Sequence, residues 1–202
     1  LQALAKNAGL KDVFTKKRLD EYDLEAYSST LAQVKLYKDQ FPEINERLKF
    51  IDFQPAKAGG KASKELNGII IGGKLDDSDV YIETVASGWW TKGELTNKAI
   101  LDHELAHVLD YSYKLSEDAI IKEVTSLPKQ VIEQGLSRYA TKHEMEVIAE
   151  AWAEYLNSPK PRSIAKRIGD RIAELTGAAT APLKSEAIAE ALIDDIIPKK
   201  MA

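Results

Sequence analysis

The stretch Ala99-Ile100-Leu101-Asp102-His103-Glu104-Leu105-Ala106-His107-Val108-Leu109-Asp110 decides how the rest of the chain is read. Its apolar residues Ile100, Leu101, Leu105, Val108 and Leu109 recur at helical spacing and Thr96 stands where an N-cap belongs, which predicts a helix with one buried face. On such a helix His103 and His107, four apart, project from one side and can grip a single cation, with Glu104 beside them. Two of the three histidines in the chain fall in this HExxH pattern, so a metal site explains it better than coincidence.

A zinc ion held by two neutral imidazoles and one carboxylate keeps its fourth position for water and lowers that water's pKa to about 7. Glu104 is placed to take the proton. The pattern therefore points to metal-assisted hydrolysis of an amide, with one Zn2+ per chain and a third ligand still to be found.

Composition bounds the alternatives. At 202 residues and 44% hydrophobic the chain can bury a proper core, and it is expected to form one unit, with N-terminal helices over 1–50, a catalytic core over 50–157 and C-terminal helices over 158–202. The net charge is −4 with both signs interspersed, which offers no basic face to nucleic acid or to an acidic membrane. Without cysteine there are no disulfides and no thiolate ligands. Neither a signal peptide nor an apolar run long enough to span a bilayer is visible. The first residue is Leu1 and not Met, so the chain reads as a fragment or processed product with segments upstream.

Outward from the central helix, residues 1 to about 50 read as helical, with Leu19, Tyr22, Leu24, Tyr27, Leu31, Val34, Leu36 and Tyr37 at helical spacing, a stop at Phe41-Pro42 and a short helix from Glu43 to Lys49. Phe50 to Phe53 reads as a strand and Gln54 to Lys61 as a surface loop. Asn67 to Gly73 is a β-branched strand bracketed by glycines, Asp76 to Asp79 an ordinary acidic turn, and Val80 to Val85 an alternating, half-exposed strand. That last strand leads into the HExxH helix, so an exposed sheet edge beside the metal is expected to hold an extended peptide by strand addition. Trp89-Trp90, between them, either lines a substrate groove or covers the core.

Beyond the central helix, Ser116 is the expected N-cap of a helix interrupted at Pro128 and closed by Gly135. Thr141 and Glu144 make a capping box for the next helix, which runs to Asn157. Residues 161–176 and 183–197 read as two amphipathic helices. On the capped helix Glu146, Glu150 and Glu154 are spaced by four, an unfavourable row of like charges unless a cation compensates. The first one or two of these are expected to reach the ion, and Glu154 to face solvent. His143 is the competing third ligand. Asp110, short and one turn beyond His107, fits a hydrogen bond that orients a ligand or a neighbouring loop.

Taken together, His103 to Asp110 and the block Tyr139-Ala140-Thr141-Lys142-His143-Glu144-Met145-Glu146-Val147-Ile148-Ala149-Glu150-Ala151-Trp152 resemble the catalytic domain of anthrax toxin lethal factor and its relatives, a gluzincin group of zinc peptidases. The resemblance implies Glu146 as third zinc ligand, Glu150 as the carboxylate behind a zinc-bound histidine, and Tyr139 as hydroxyl donor to the tetrahedral oxyanion, a role that suits a phenol. Ala106 and Ala140 depart from the family pattern, each standing where a glycine is usual. Neither removes a catalytic group.

A second resemblance covers more of the chain. Tyr22 to Ala26, Phe41 to Ile44 and Tyr155 to Pro161 look like peptidase-like domains of bacteriophage minor head proteins, which implies phage head proteins or an upstream domain of the same polypeptide as partners, and a virion-associated or exported location. The expectation is an α+β, zincin-like fold, rich in helix, with a small twisted mixed sheet whose edge strand flanks the active-site cleft. The expected activity is zinc-dependent endopeptidase on a peptide or protein substrate. Its rivals are a virion or interaction module with a structural or vestigial zinc site, and a toxin-like effector protease acting on a host protein.

Overall fold

The computed structural model of the protein describes residues 2–15, 21–54, 59–72, 78–92, 97–179 and 183. Eight α-helices and four strands follow one another in them as α1 (Gln2–Asn7), β1 (Asp12–Thr15), α2 (Glu21–Gln40), β2 (Phe50–Gln54), β3 (Gly60–Ser63), β4 (Gly68–Gly72), α3 (Ser78–Ala86), α4 (Asn97–Tyr113), α5 (Ala119–Thr125), α6 (Lys129–Gly135), α7 (Glu144–Asn157) and α8 (Ser163–Thr176). The expected Thr96 cap, the turn before Ser78, Leu19 and nearly all of 183–197 lie outside the described residues, as do the side chains of Tyr22 and Leu24.

The sheet runs in the order β1-β2-β4-β3. β1, β2 and β4 are parallel, and β3 closes the far edge antiparallel to β4, with Gly60 opposite Ile71 and Ser63 opposite Gly68. The fold is thus α+β, helix-rich with a small mixed sheet. One face of the sheet supplies Val13, Ile51, Phe53, Ile69 and Ile71 to a core completed by Leu31, Tyr37, Phe41, Leu101, Leu105, Leu109, Ile148 and Trp152 from the helices. Alternation in β2, with Ile51 and Phe53 buried between half-exposed neighbours, is what orients that face. No helix among the described residues is long and apolar enough to cross a membrane.

Residues 1–50 are not all helical: Asp12–Thr15, with a β-branched and an aromatic residue at its centre, is a strand on β2. The segment expected to loop from Gln54 to Lys61 contributes the start of β3. Val80–Val85 is not a strand but part of α3. The open side of β4 is already taken by β3, which reaches it through a short local hairpin, so the alternating segment has no strand to pair with and coils instead. The edge strand beside the central helix is therefore β3.

Candidate metal centre

The site is built where α4 and α7 cross. Behind it, Asp102 is fully buried and receives four hydrogen bonds: from Tyr37 Oη (2.8 Å), Gln33 Nε2 (3.2 Å), Lys98 Nζ (2.6 Å) and Asn157 Nδ2 (2.7 Å). Trp152 Nε1 donates in turn to Tyr37 Oη at 2.8 Å. Burial beside the Asp102 carboxylate pushes the Tyr37 phenol well above its usual range. One buried anion thereby ties α2, α4 and α7 together. His103, next to Asp102 on the same helix, meets α7 nearer its start, at Glu146 and Glu150.

His103 and His107, one turn apart, stand with their rings nearly perpendicular, centroids 5.0 Å apart. Glu146, from the first turn of α7, brings Oε2 within 3.1 Å of His103 Nε2 and 3.5 Å of His107 Nε2. Tetrahedral zinc with bonds near 2.1 Å separates neighbouring ligand atoms by about 3.4 Å, so these spacings fit the ion. One ligand atom from each of the three residues lies within 4.8 Å of the others. Glu146 Oε2 is buried without a well-aligned hydrogen bond, and the atoms facing it are the Nε2 atoms of two imidazoles. Burial without a partner is costly for a carboxylate oxygen. A cation bound by all three would remove the cost.

Glu150, one turn further along α7, holds Oε1 3.2 Å from His103 Nδ1. That contact fixes the ring's tautomer and leaves Nε2 for a metal. His107 Nδ1 is buried without a partner, so the two imidazoles are not equally supported. Burial lowers the affinity of His103 for a proton, but Glu146, Glu150 and Glu104 outweigh it and hold the imidazole up at about 10. Against burial, the two histidines hold Glu146 down at about 2. Three carboxylates around two imidazoles thus leave the site short of positive charge.

Glu104 is buried between the cluster and β3. Burial raises its carboxyl above the ordinary range, with the two histidines and a hydrogen bond from the Ala62 backbone N–H opposing the rise. At Gly60 the strand passes so close that a Cβ would lie 2.5 Å from Glu104 Cγ and 2.7 Å from Oε1. Glycine is required there by the close approach.

Tyr139 lies on the other flank, its ring 6.0 Å from that of His103. It opens a 3₁₀ turn, Tyr139–Lys142, and its phenol is pushed up to about 12 by burial and by Glu146, Glu104 and Glu150. Trp89 packs on it at 5.9 Å, with Lys142 and Arg138 over the indole. The Tyr139 turn is stitched to the chain at Trp89 by two hydrogen bonds, Arg138 N–H to Gly88 O and Tyr139 N–H to Trp89 O, each 2.9 Å.

The structure thus brings His103, His107, Glu146, Glu150, Glu104 and Tyr139 together. Asp110 is near but does not face the cluster: its Oδ1 accepts from the Ser116 backbone N–H at 2.7 Å and orients the loop after α4. His143 is not the third ligand. It is the N-cap of α7, its Nδ1 accepting from Met145 N–H at 3.2 Å, and Thr141, expected to cap, belongs to the preceding 3₁₀ turn. Asp118 and not Ser116 caps α5, accepting from the Ile120 and Ile121 amides. Glu154 does not face solvent; it is fully buried and paired with Arg162.

The sequence reading missed Tyr111, whose ring stacks near that of His107 at 6.5 Å; its position four after His107 was the available signal. It also missed Gly60, Ala62 and Thr91, for which no local pattern exists. Comparison of the chain with protein-family models, curated proteins and solved structures found no significant match in any of the three.

Proposed function

We propose that the protein is a zinc-dependent endopeptidase of the gluzincin type, with His103, His107 and Glu146 as the metal ligands and Glu104 and Tyr139 as its catalytic residues. The observation that carries the reading is the convergence of two Nε2 atoms on a buried Glu146 oxygen, with Glu104 and Tyr139 on either side of them. Zinc bound there would polarise a carbonyl and acidify a water molecule.

The chain's own residues supply the rest. Glu104, its carboxyl raised by burial, is suited to accept a proton and to return it to a leaving amine. Tyr139 keeps its phenolic proton across the physiological range, as a donor to a developing oxyanion must. β3 presents the edge of the sheet beside Glu104, which suits an extended peptide bound by strand addition in a zincin-like cleft. Among the described residues three donors converge, and a tetrahedral ion held by three protein donors keeps a position for water, as a catalytic site requires.

The test is digestion of an unbiased peptide library by the zinc-loaded protein, read by mass spectrometry. Cleavage by the wild type and none by Glu104→Gln at equal zinc content is the expected result. Equal cleavage by both would remove Glu104 from the mechanism.

A further inference from the structure

The row of glutamates on α7 continues past the metal cluster, and its last two members hold one residue between them. Thr91 is buried; its backbone N–H donates to Glu150 Oε2 at 2.7 Å and its hydroxyl donates to Glu154 Oε2. Glu150 Oε1, the other oxygen of the same carboxylate, is the one that faces His103 Nδ1.

Arg162 completes the arrangement. Its Nη2 reaches Glu154 Oε2 at 2.6 Å and Thr91 Oγ1 at 3.2 Å, and also donates to Leu136 O, while Nη1 reaches Gln134 O at 3.3 Å. One guanidinium therefore clamps α7, Thr91 and the segment that leads from α6 into the Tyr139 turn. Between Thr91 and the end of α3, Gly88 turns the chain at φ +74 and residues 88 and 89 accept the amides of Arg138 and Tyr139. The strand of chain from 87 to 91 is thus pinned by glutamates at one end and carries Tyr139 along its length.

We infer that Thr91, held by Glu150, Glu154 and Arg162, is a positioning residue that sets Tyr139 against the metal cluster. The inference rests on the metallopeptidase reading. It gives the third glutamate a use: Glu154 neutralises Arg162 and fixes Thr91, and so governs Tyr139 from a distance without approaching the cation. Glu150 then serves two ends of the site at once, orienting His103 with one oxygen and the Thr91 backbone with the other.

The test combines Thr91→Val and Thr91→Ser in the full chain loaded with zinc, with Arg162→Lys as a second variant in case the valine protein does not fold. Amide hydrogen exchange at Arg138 and Tyr139 is read alongside zinc content and library cleavage. Thr91→Val is expected to speed exchange at those two amides at least tenfold, leave exchange in α4 and zinc content unchanged, and lower kcat with KM held; Thr91→Ser is expected to restore all of these. Arg162→Lys is expected to act in the same direction. Unchanged exchange at 138 and 139 in both Thr91→Val and Arg162→Lys, or a rise spread evenly over the whole chain, would overturn the inference. Failure of the wild type to take up zinc would instead overturn the metallopeptidase reading, and this inference with it.

Discussion

Gly60 on the edge strand lies directly against Glu104 on the central helix: a side chain of even one carbon at position 60 would come within 2.5 to 2.8 Å of three Glu104 atoms. Gly60→Ala must therefore displace either the strand or the carboxylate. Because a general base contributes about 10²- to 10⁴-fold and depends on its placement, this substitution should lower kcat by roughly 10²-fold. Zinc content should be unchanged, since no ligand is touched. Steady-state kinetics beside elemental analysis checks both halves.

Removing the proposed proton donor to the oxyanion should cost comparably. Tyr139→Phe is expected to keep zinc and lose on the order of 10²-fold or more in kcat, whereas Tyr111→Phe, on the His107 side, should change kcat little. Parallel rates for the two variants would assign the oxyanion role to the wrong tyrosine.

His143 and His107 separate a helix cap from a proposed ligand. His143→Ala removes an N-cap acceptor from α7 and should destabilise the fold by about 1 kcal/mol without lowering zinc content. Chemical denaturation and metal analysis of the same preparation distinguish this from loss of a ligand.

Much of this candidate site was legible in the sequence because its residues sit on helices, where spacing alone puts residues on one face. His103 and His107 follow from the four-residue rule and Glu104 from its place between them; the same spacing groups Glu146, Glu150 and Glu154, and it is the family resemblance that singles out Glu146 and Glu150. The sheet was less legible. β4 is a β-branched run and was plain, but β3, Gly-Lys-Ala-Ser, has no strand signature and owes its conformation to pairing with β4 and contact with Glu104. Val80–Val85 has the signature and no partner. Glu154 read as an exposed charge because nothing local foretells Arg162, which meets it only after α7 has ended and the chain has turned back.

The buried anion behind the site makes a stability prediction. Asp102→Ala strands Lys98, Tyr37 and Asn157 donors around a vacated, fully buried position, and should cost about 3–5 kcal/mol, measured by urea unfolding.

Proton competition sets the pH dependence of metal uptake. With its folded value at about 10, above the ordinary 6.5, His103 carries a proton at neutral pH that a metal must displace. Zinc affinity should therefore rise by about tenfold per pH unit from 7 toward 9, with about one proton released per ion. Calorimetry in buffers of different ionisation enthalpy reads that proton directly. The same shift makes His103 stabilising to the metal-free fold below pH 6.5 and progressively less so as pH rises toward 10.

Elemental mass spectrometry of the purified protein, with His107→Ala and Glu146→Gln beside it, tests whether a single zinc is held by His103, His107 and Glu146. About one zinc per chain in the wild type and in Glu104→Gln, and a marked loss in both ligand variants, is the predicted result. No zinc in the wild type after incubation with the metal, or full retention in His107→Ala, would contradict it.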